Sequence, residues 1–200
     1  MEILKNIEQN TPEWLEARKG KITGSKLKDI VVLRGTGKKI GFYQLMADRL
    51  AIEEEREDPM ERGHRLEPEA IEAFEKEIGK TTTEVGLCVS DENPNIAVSY
   101  DRLLGKTESV EAKCLGTAKH LQAYFEQDWS EFKFQIYQGF IVNDKLKKQY
   151  LVFFDPRVTA KPLHWIEINR KDVEKEIETY KEYQIETLKE IDILLEKIAF

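Results

Sequence analysis

The sequence has no apolar run approaching the roughly 18 residues that a membrane span needs, and its start lacks the pattern of a secretory signal. Cysteine is scarce: Cys88 and Cys114 are the only two, at a spacing that fits neither a zinc site nor a disulfide framework. A soluble, reducing, cytoplasmic setting is therefore expected, with Cys114 a small buried apolar residue rather than a nucleophile. There is no internal repeat, no low-complexity tract and no linker that would divide the chain, and the charged segment 53–59 reads as a surface loop. At 200 residues the chain fits one domain with a substantial core. A nucleoside-triphosphate loop is missing as well. Arg34-Gly35-Thr36-Gly37-Lys38-Lys39 has neither the spacing between glycines nor the hydroxyl residue after lysine that such a loop requires.

Positive charge is also short overall, with a formal net charge of −7. Its distribution is uneven. Residues 18–39 hold eight basic side chains against the single acid Asp29, a local charge of +7, so the rest of the chain carries −14. Such polarisation suits a protein that holds a polyanion on one surface and repels it elsewhere. In that reading Lys38 and Lys39 sit on a basic loop that touches a nucleic-acid backbone. A plain pair of basic helices is the alternative.

What the sequence does have is Ser99-Tyr100-Asp101, followed ten residues after the Asp by Glu111-Ala112-Lys113. Side chains alternate between faces along a strand. Glu111 and Lys113 then share one face while Ala112 points into the protein. If 96–104 and 107–114 pair antiparallel, Asp101 reaches the same patch. Two carboxylates and a backbone carbonyl make a hard oxygen site suited to Mg²⁺ or Mn²⁺, and the adjacent lysine can orient or deprotonate an attacking water. The apolar residues framing these acids, among them Val98, Leu104 and Val110, place the hairpin inside a sheet, where an unpaired charge is costly. An internal Lys113–Glu111 or Lys113–Asp101 ion pair would satisfy the same demand.

Upstream, Leu66, Ala70, Ala73, Phe74 and Ile78 form one apolar face at helical spacing, and Glu67 projects on that face. Pro68 is best tolerated in a first helical turn, so the helix is expected to begin near residue 65. Glu67 then serves either the helix dipole or the metal site. Further helices are expected at 12–19, 25–33, 40–54, 117–126, 131–143 and 170–197. Strands are expected at 83–90, 96–104, 107–114, 147–155 and 163–169. This pattern is an α/β fold with a central mixed sheet of about five strands flanked by helices. The stripe Ile177, Tyr180, Leu188, Ile191, Leu195 and Ile198 on the last helix reads as core packing.

In their order these blocks resemble the lambda-exonuclease type (YqaJ-like) of phage recombination nuclease, within the PD-(D/E)xK superfamily. The blocks are Trp14 to Ser25 with Arg18-Lys19-Gly20-Lys21-Ile22-Thr23-Gly24, Arg62-Gly63 to Glu67 and Phe74-Glu75, Ser99 to Asp101, Glu111-Ala112-Lys113-Cys114, Gln135, and Phe154-Asp155-Pro156-Arg157. The resemblance covers nearly the whole chain and implies a single nuclease domain with that superfamily's core. It implies that Asp101, Glu111 and the Ala112 carbonyl hold Mg²⁺ or Mn²⁺, two ions per site, with Glu67 assisting, and that Lys113 activates water. Arg18, Ser25 and Ser99 would grip a 5′-phosphate, with Ser25 at a helix N-terminus. Gln135 would contact DNA near the site.

The implied activity is 5′→3′ degradation of one strand at double-stranded DNA ends, leaving a 3′ single-stranded overhang for recombination. The alternatives are a 3′-directed or structure-specific relative, or a catalytically silent DNA-binding module. A trimeric or tetrameric homo-oligomeric ring, a single-strand-annealing partner, no membrane, and the host-cell cytoplasm are also implied. Two departures stand out. Tyr137 replaces the family's second glutamine, with Tyr137 itself or Gln138 the possible substitutes. Ser-Tyr-Asp-Arg replaces Ser-Pro-Asp-Gly, setting the extra cation Arg102 beside the acid.

Overall fold

The computed structural model describes residues 11–50 and 58–198. Three short helices, α1 (Pro12–Arg18), α2 (Gly24–Ile30) and α3 (Ile40–Arg49), precede the long α4 (Pro59–Ile78). Then come β1 (Leu87–Val89), β2 (Ala97–Ser99), β3 (Arg102–Leu104) and β4 (Glu108–Lys113). Helices α5 (Thr117–Glu126) and α6 (Lys133–Val142) carry the chain to β5 (Lys148–Phe154), β6 (Leu163–Asn169) and a final helix α7 (Glu174–Ile198). The fold is mixed α/β. Strands β3-β4-β5-β6 form one four-stranded sheet, and β1-β2 form a separate two-stranded one. Among the described residues only β4 and β5 pair in parallel, because α5 and α6 lie between them as a crossover.

Strand β5 shows why helices cover both faces. Its alternate residues Leu151 and Phe153 pack into a core with Ile136 and Phe140 of α6 and Ile177 of α7. Tyr150 and Val152 pack the other way, against Ile71 and Phe74 of α4, with Val110 of β4. A strand buried on both sides reads as a continuous apolar run, as Tyr150-Leu151-Val152-Phe153-Phe154 does. At Gly139 a Cβ would lie 2.5 Å from the buried Gln149 Oε1, so α6 approaches the sheet only because that residue has no side chain. Gln149 in turn bonds Ser109 of β4 and the Ile136 carbonyl.

Several boundaries differ from expectation. Helix α4 starts at Pro59, not near 65: the Asp58 carboxylate accepts hydrogen bonds from the Met60 and Glu61 amides, and Pro59 takes the first helical position. Pro68 lies inside this helix. Both Pro68 and His64, whose carbonyl loses its partner, are exposed, so water can satisfy it. The expected 96–104 strand is broken at Tyr100-Asp101, with β2 pairing to β1 and β3 to β4. Tyr100 causes the break: its ring is buried, and its hydroxyl donates to the Gly139 carbonyl at 2.6 Å.

Over 83–90 only 87–89 is strand, apart from a bridge from Thr83 to Leu103. Helix α2 stops at Ile30 and α3 at Arg49; residues 51–54 of the expected 40–54 helix, and residues 53–57 of the charged loop, fall outside the described residues. The last helix begins at 174, after a 3₁₀ turn over 170–172. Its stripe is core only at the near end. Ile177 is buried and Tyr180 and Leu188 pack beside it, but Ile191, Leu195 and Ile198 are exposed.

A buried histidine pair makes a testable contribution to this fold. His120 and His164 stack edge to face, 4.7 Å between ring centres. Each Nε2 meets a carbonyl, that of Lys161 for His120 and that of His120 for His164, so each must donate there. Neither Nδ1 has a partner among the described residues. Burial, with the neighbouring His120 second, pulls His164 down to about 4, and burial lowers His120 too. Between that value and an unfolded value of about 6.5 the unfolded chain binds the extra proton, so stability falls as pH falls through this window. We expect a loss of about 2 kcal/mol from His164 alone between pH 7 and pH 5. Urea midpoints at the two pH values check it, and a His164→Phe variant should show a smaller drop than the parent. Equal midpoints in the parent would refute the assignment.

Candidate active site

The antiparallel register sets Arg102 opposite Val110, so the residue before β3, Asp101, comes level with Glu111 and Ala112. Asp101 Oδ2 accepts a hydrogen bond from the Ala112 amide at 2.7 Å, locking the acid against β4. Glu111 and Lys113 share a face, as two-residue spacing demands, and Lys113 Nζ lies 2.6 Å from Glu111 Oε1. The plain ion pair foreseen as an alternative is thus present. The Lys113 ammonium also lies 5.4 Å from the centre of the Phe132 ring. Ala112 faces the other way, against the apolar clusters around Phe74 and Phe154.

Glu67 faces this group from α4. Asp101, Glu111, Ala112, Lys113 and Glu67 line one cleft of about 270 Å³, together with Pro59, Met60, Gly63 and His64. Glu67 is the ninth residue of α4, two turns in, so the helix-dipole reading is overturned. Its carboxyl is raised by burial and by Asp101, against a lowering by Arg102, whose Nη1 stands 3.8 Å from Glu67 Oε1. Glu111 is raised too. Burial is the main cause, Lys113 opposes it, and the negative charges of Asp101 and Glu67 add to it. Glu67 and Glu111 thus both resist carrying charge here, a condition that a cation would relieve.

The donor set fits a hard divalent ion. Asp101 and Glu111 each keep one carboxylate oxygen without a hydrogen bond among the described residues, since Oδ2 and Oε1 take the bonds made. Among the described residues, no three His, Cys, Asp or Glu side chains gather tightly enough to hold a metal as they stand. Each acid instead has its own partner: an amide, a lysine or an arginine. Cys114, just beyond, is buried, and burial pushes its thiol up to about 12, which makes it inert as a nucleophile.

The other candidate residues divide. Arg18 and Ser25 come together: Arg18 Nη2 lies 3.0 Å from Ser25 Oγ and 3.2 Å from Thr23 Oγ1, with its guanidinium stacked 4.0 Å over Trp14. Ser99 is exposed at the end of β2, and no hydrogen bond joins it to either of them. Gln135 is exposed in the first turn of α6. Lys38 lies over the Phe42 ring and Lys39 bonds the Lys28 carbonyl, both on the exposed basic segment.

Tyr137 does not substitute for a glutamine at the cleft. It is buried, stacked on Tyr180 of α7 with 5.5 Å between ring centres, and lines a separate apolar groove between α6 and α7. Gln138 is no substitute either, for its amide donates to the Ala97 carbonyl of β2. The residues that motif reading missed are His64 and Met60 at the cleft and Phe132 beneath Lys113. His64 and Met60 had a signal in the Asp58-Pro59 helix start, which brings the preceding turns of α4 alongside Glu67. Phe132 had none.

Solved structures share this architecture. That of an alkaline exonuclease (LHK-Exo) from Laribacter hongkongensis is similar, with a TM-score of 0.62 and 28% identity over 94% of this chain and 98% of that one. The same enzyme in complex with dAMP gives a TM-score of 0.56 at 28% identity, over 92% of this chain and 100% of that one. No curated protein matches the sequence. Residues 13–153, from α1 through the β3–β4 hairpin to β5, match the YqaJ-like viral recombinase domain, and the chain therefore belongs to that family.

Proposed function

We propose that the chain is a divalent-metal-dependent exonuclease, working as a single domain on linear double-stranded DNA in the 5′→3′ direction and leaving a 3′ single-stranded tail for recombination. The observation that carries this reading is the convergence of Asp101, Glu111, Lys113 and Glu67 on one cleft in a chain of this family. In this reading Asp101, Glu111 and the Ala112 carbonyl hold Mg²⁺ or Mn²⁺, with Glu67 to one side. When bound, the ion supplies Lewis acidity towards the phosphodiester and eases ionisation of water. Lys113, fixed by Glu111 and Phe132, orients the attacking water in line with the phosphorus and steadies the negative charge that develops as its proton leaves. The dAMP bound to the similar exonuclease supports release of deoxynucleoside monophosphates as products. A host-cell cytoplasm, a ring of three or four copies, and a single-strand-annealing partner complete the proposal; no helix among the described residues is long and apolar enough to cross a membrane.

The direction of attack rests on Arg18, Ser25 and Ser99 as a 5′-phosphate grip, with Gln135, Lys38 and Lys39 along the DNA. Stacking on Trp14 and the bonds to Thr23 and Ser25 pre-order the Arg18 fork, the form in which arginine recognises phosphate best. Arg18→Ala should cut the preference for 5′-phosphorylated over 5′-hydroxyl ends by about tenfold, since a charge-assisted hydrogen bond is worth roughly 1.5–3 kcal/mol. An unchanged preference would remove Arg18 from the phosphate pocket. The function itself is tested by digesting end-labelled linear duplex with Mg²⁺ beside a closed circle. Loss of the phosphorylated strand from its 5′ end, with the circle spared, is the expected result. Loss from the 3′ end, or cutting of the circle, would reject the assigned direction or the exonuclease mode.

A further inference from the structure

The cleft's acids are not balanced alike. Glu111 has Lys113 and Asp101 has the Ala112 amide, groups that belong to β4 itself. Glu67 has Arg102, a residue of β3 whose side chain is only 18% exposed. The guanidinium is held in place from beneath: it donates to the Asp101 carbonyl at 2.6 Å, while its two terminal nitrogens stand 3.8 Å from Glu67 and from the exposed Glu84. The guanidinium thus sets a positive charge on the Glu67 side of the cleft. A second divalent ion near Glu67 would have to be placed beside it, and like charges at such separations in a half-buried site repel strongly.

We propose that Arg102 is a built-in cation that takes the charge-balancing place beside Glu67, so that the cleft binds one divalent ion and not two. The inference rests on the metal-dependent reading of the site and deepens it. It makes Arg102 a positioning residue: it keeps Glu67 turned to the cleft and leaves Asp101 and Glu111 as the holders of the single ion. Lysine at 102 would keep the charge; glutamine would keep much of the length and lose it.

Calorimetric titration of the full chain with Mn²⁺, without DNA, tests this directly. The parent chain should bind one ion, Arg102→Lys one, and Arg102→Gln two. Adding Glu67→Gln to Arg102→Gln should return the count to one, which locates the gained ion. Two ions on the parent chain would overturn the proposal while leaving the metal-dependent reading intact, as would a single ion on a folded Arg102→Gln. Should that variant fail to fold by circular dichroism, the parent stoichiometry decides alone. No Mn²⁺ binding by the parent would instead overturn the metal-dependent reading, and this proposal with it.

Discussion

Lys113→Ala is expected to lower the rate of cleavage by about a thousandfold or more while the protein stays folded, because a positioned group that handles a proton commonly contributes roughly 10²–10⁴. The side chain reaches into the cleft from the last residue of β4, and its contacts are the Glu111 carboxylate and the face of the Phe132 ring. Its loss leaves Glu111 without a counter-charge, which that acid can answer by taking up a proton. Asp101 needs a different substitution. Its carboxylate both faces the cleft and accepts the Ala112 amide, so Asp101→Ala mixes a catalytic loss with an unsatisfied strand amide. Asp101→Asn keeps an acceptor for that amide and removes the charge. Single-turnover cleavage, with circular dichroism of each variant alongside, makes the measurement. Activity within about tenfold of the parent in a folded Lys113→Ala or Asp101→Asn protein would rule out the assigned mechanism, since one decade is only about 1.4 kcal/mol of barrier.

The parts of this site that could be read from sequence are those governed by short-range periodicity. Glu111 and Lys113 share a face because a strand alternates, and no tertiary contact can change that parity without a bulge. Asp101 was within reach on hairpin length alone. Glu67 was legible as a residue on the inward face of a helix, but its depth in that helix was not. Pro68 argued for a late start and the charged segment 53–59 read as a loop, whereas Asp58 caps the helix and Pro59 opens it. The cost of an exposed internal proline is modest beside the burial of Leu66, Ala70, Ile71 and Phe74, so packing won.

What was illegible depended on neighbours distant in sequence. Tyr100 breaks a strand to reach the Gly139 carbonyl, 39 residues away. Tyr137 pairs with Tyr180, and its position in a motif carried no information about that choice. The outer half of α7 has the same spacing as its buried half. Periodicity reports which face is apolar, and burial also needs a partner, which among the described residues stops near Leu188.

Asp155→Ala should cost about 3–5 kcal/mol, the usual penalty for breaking a buried ion pair from one side, and lower the melting temperature by roughly 10–15 °C for a chain of this size. Asp155 is fully buried just after β5 and accepts from Thr117 Oγ1 at 2.7 Å, Arg62 Nη2 at 3.1 Å, and Arg157 through Nε at 2.9 Å and Nη2 at 3.0 Å. Burial alone would lift this carboxyl; the bonds from Arg157 and Thr117 outweigh it and hold it below the usual range. Removing the acid takes from two guanidinium groups, one buried and one partly so, the carboxylate they share. These partners also explain why the damage would reach the cleft. Arg62 lies on α4 five residues before Glu67, and Thr117 opens α5 four residues after Lys113. One carboxylate therefore ties the helix that carries Glu67 to the chain leaving β4. Loss of activity in Asp155→Ala should follow loss of the folded state, recovering on cooling, whereas Lys113→Ala stays inactive at every temperature. A melting point unchanged in Asp155→Ala would show that the two arginines find other partners and that the site is held together elsewhere.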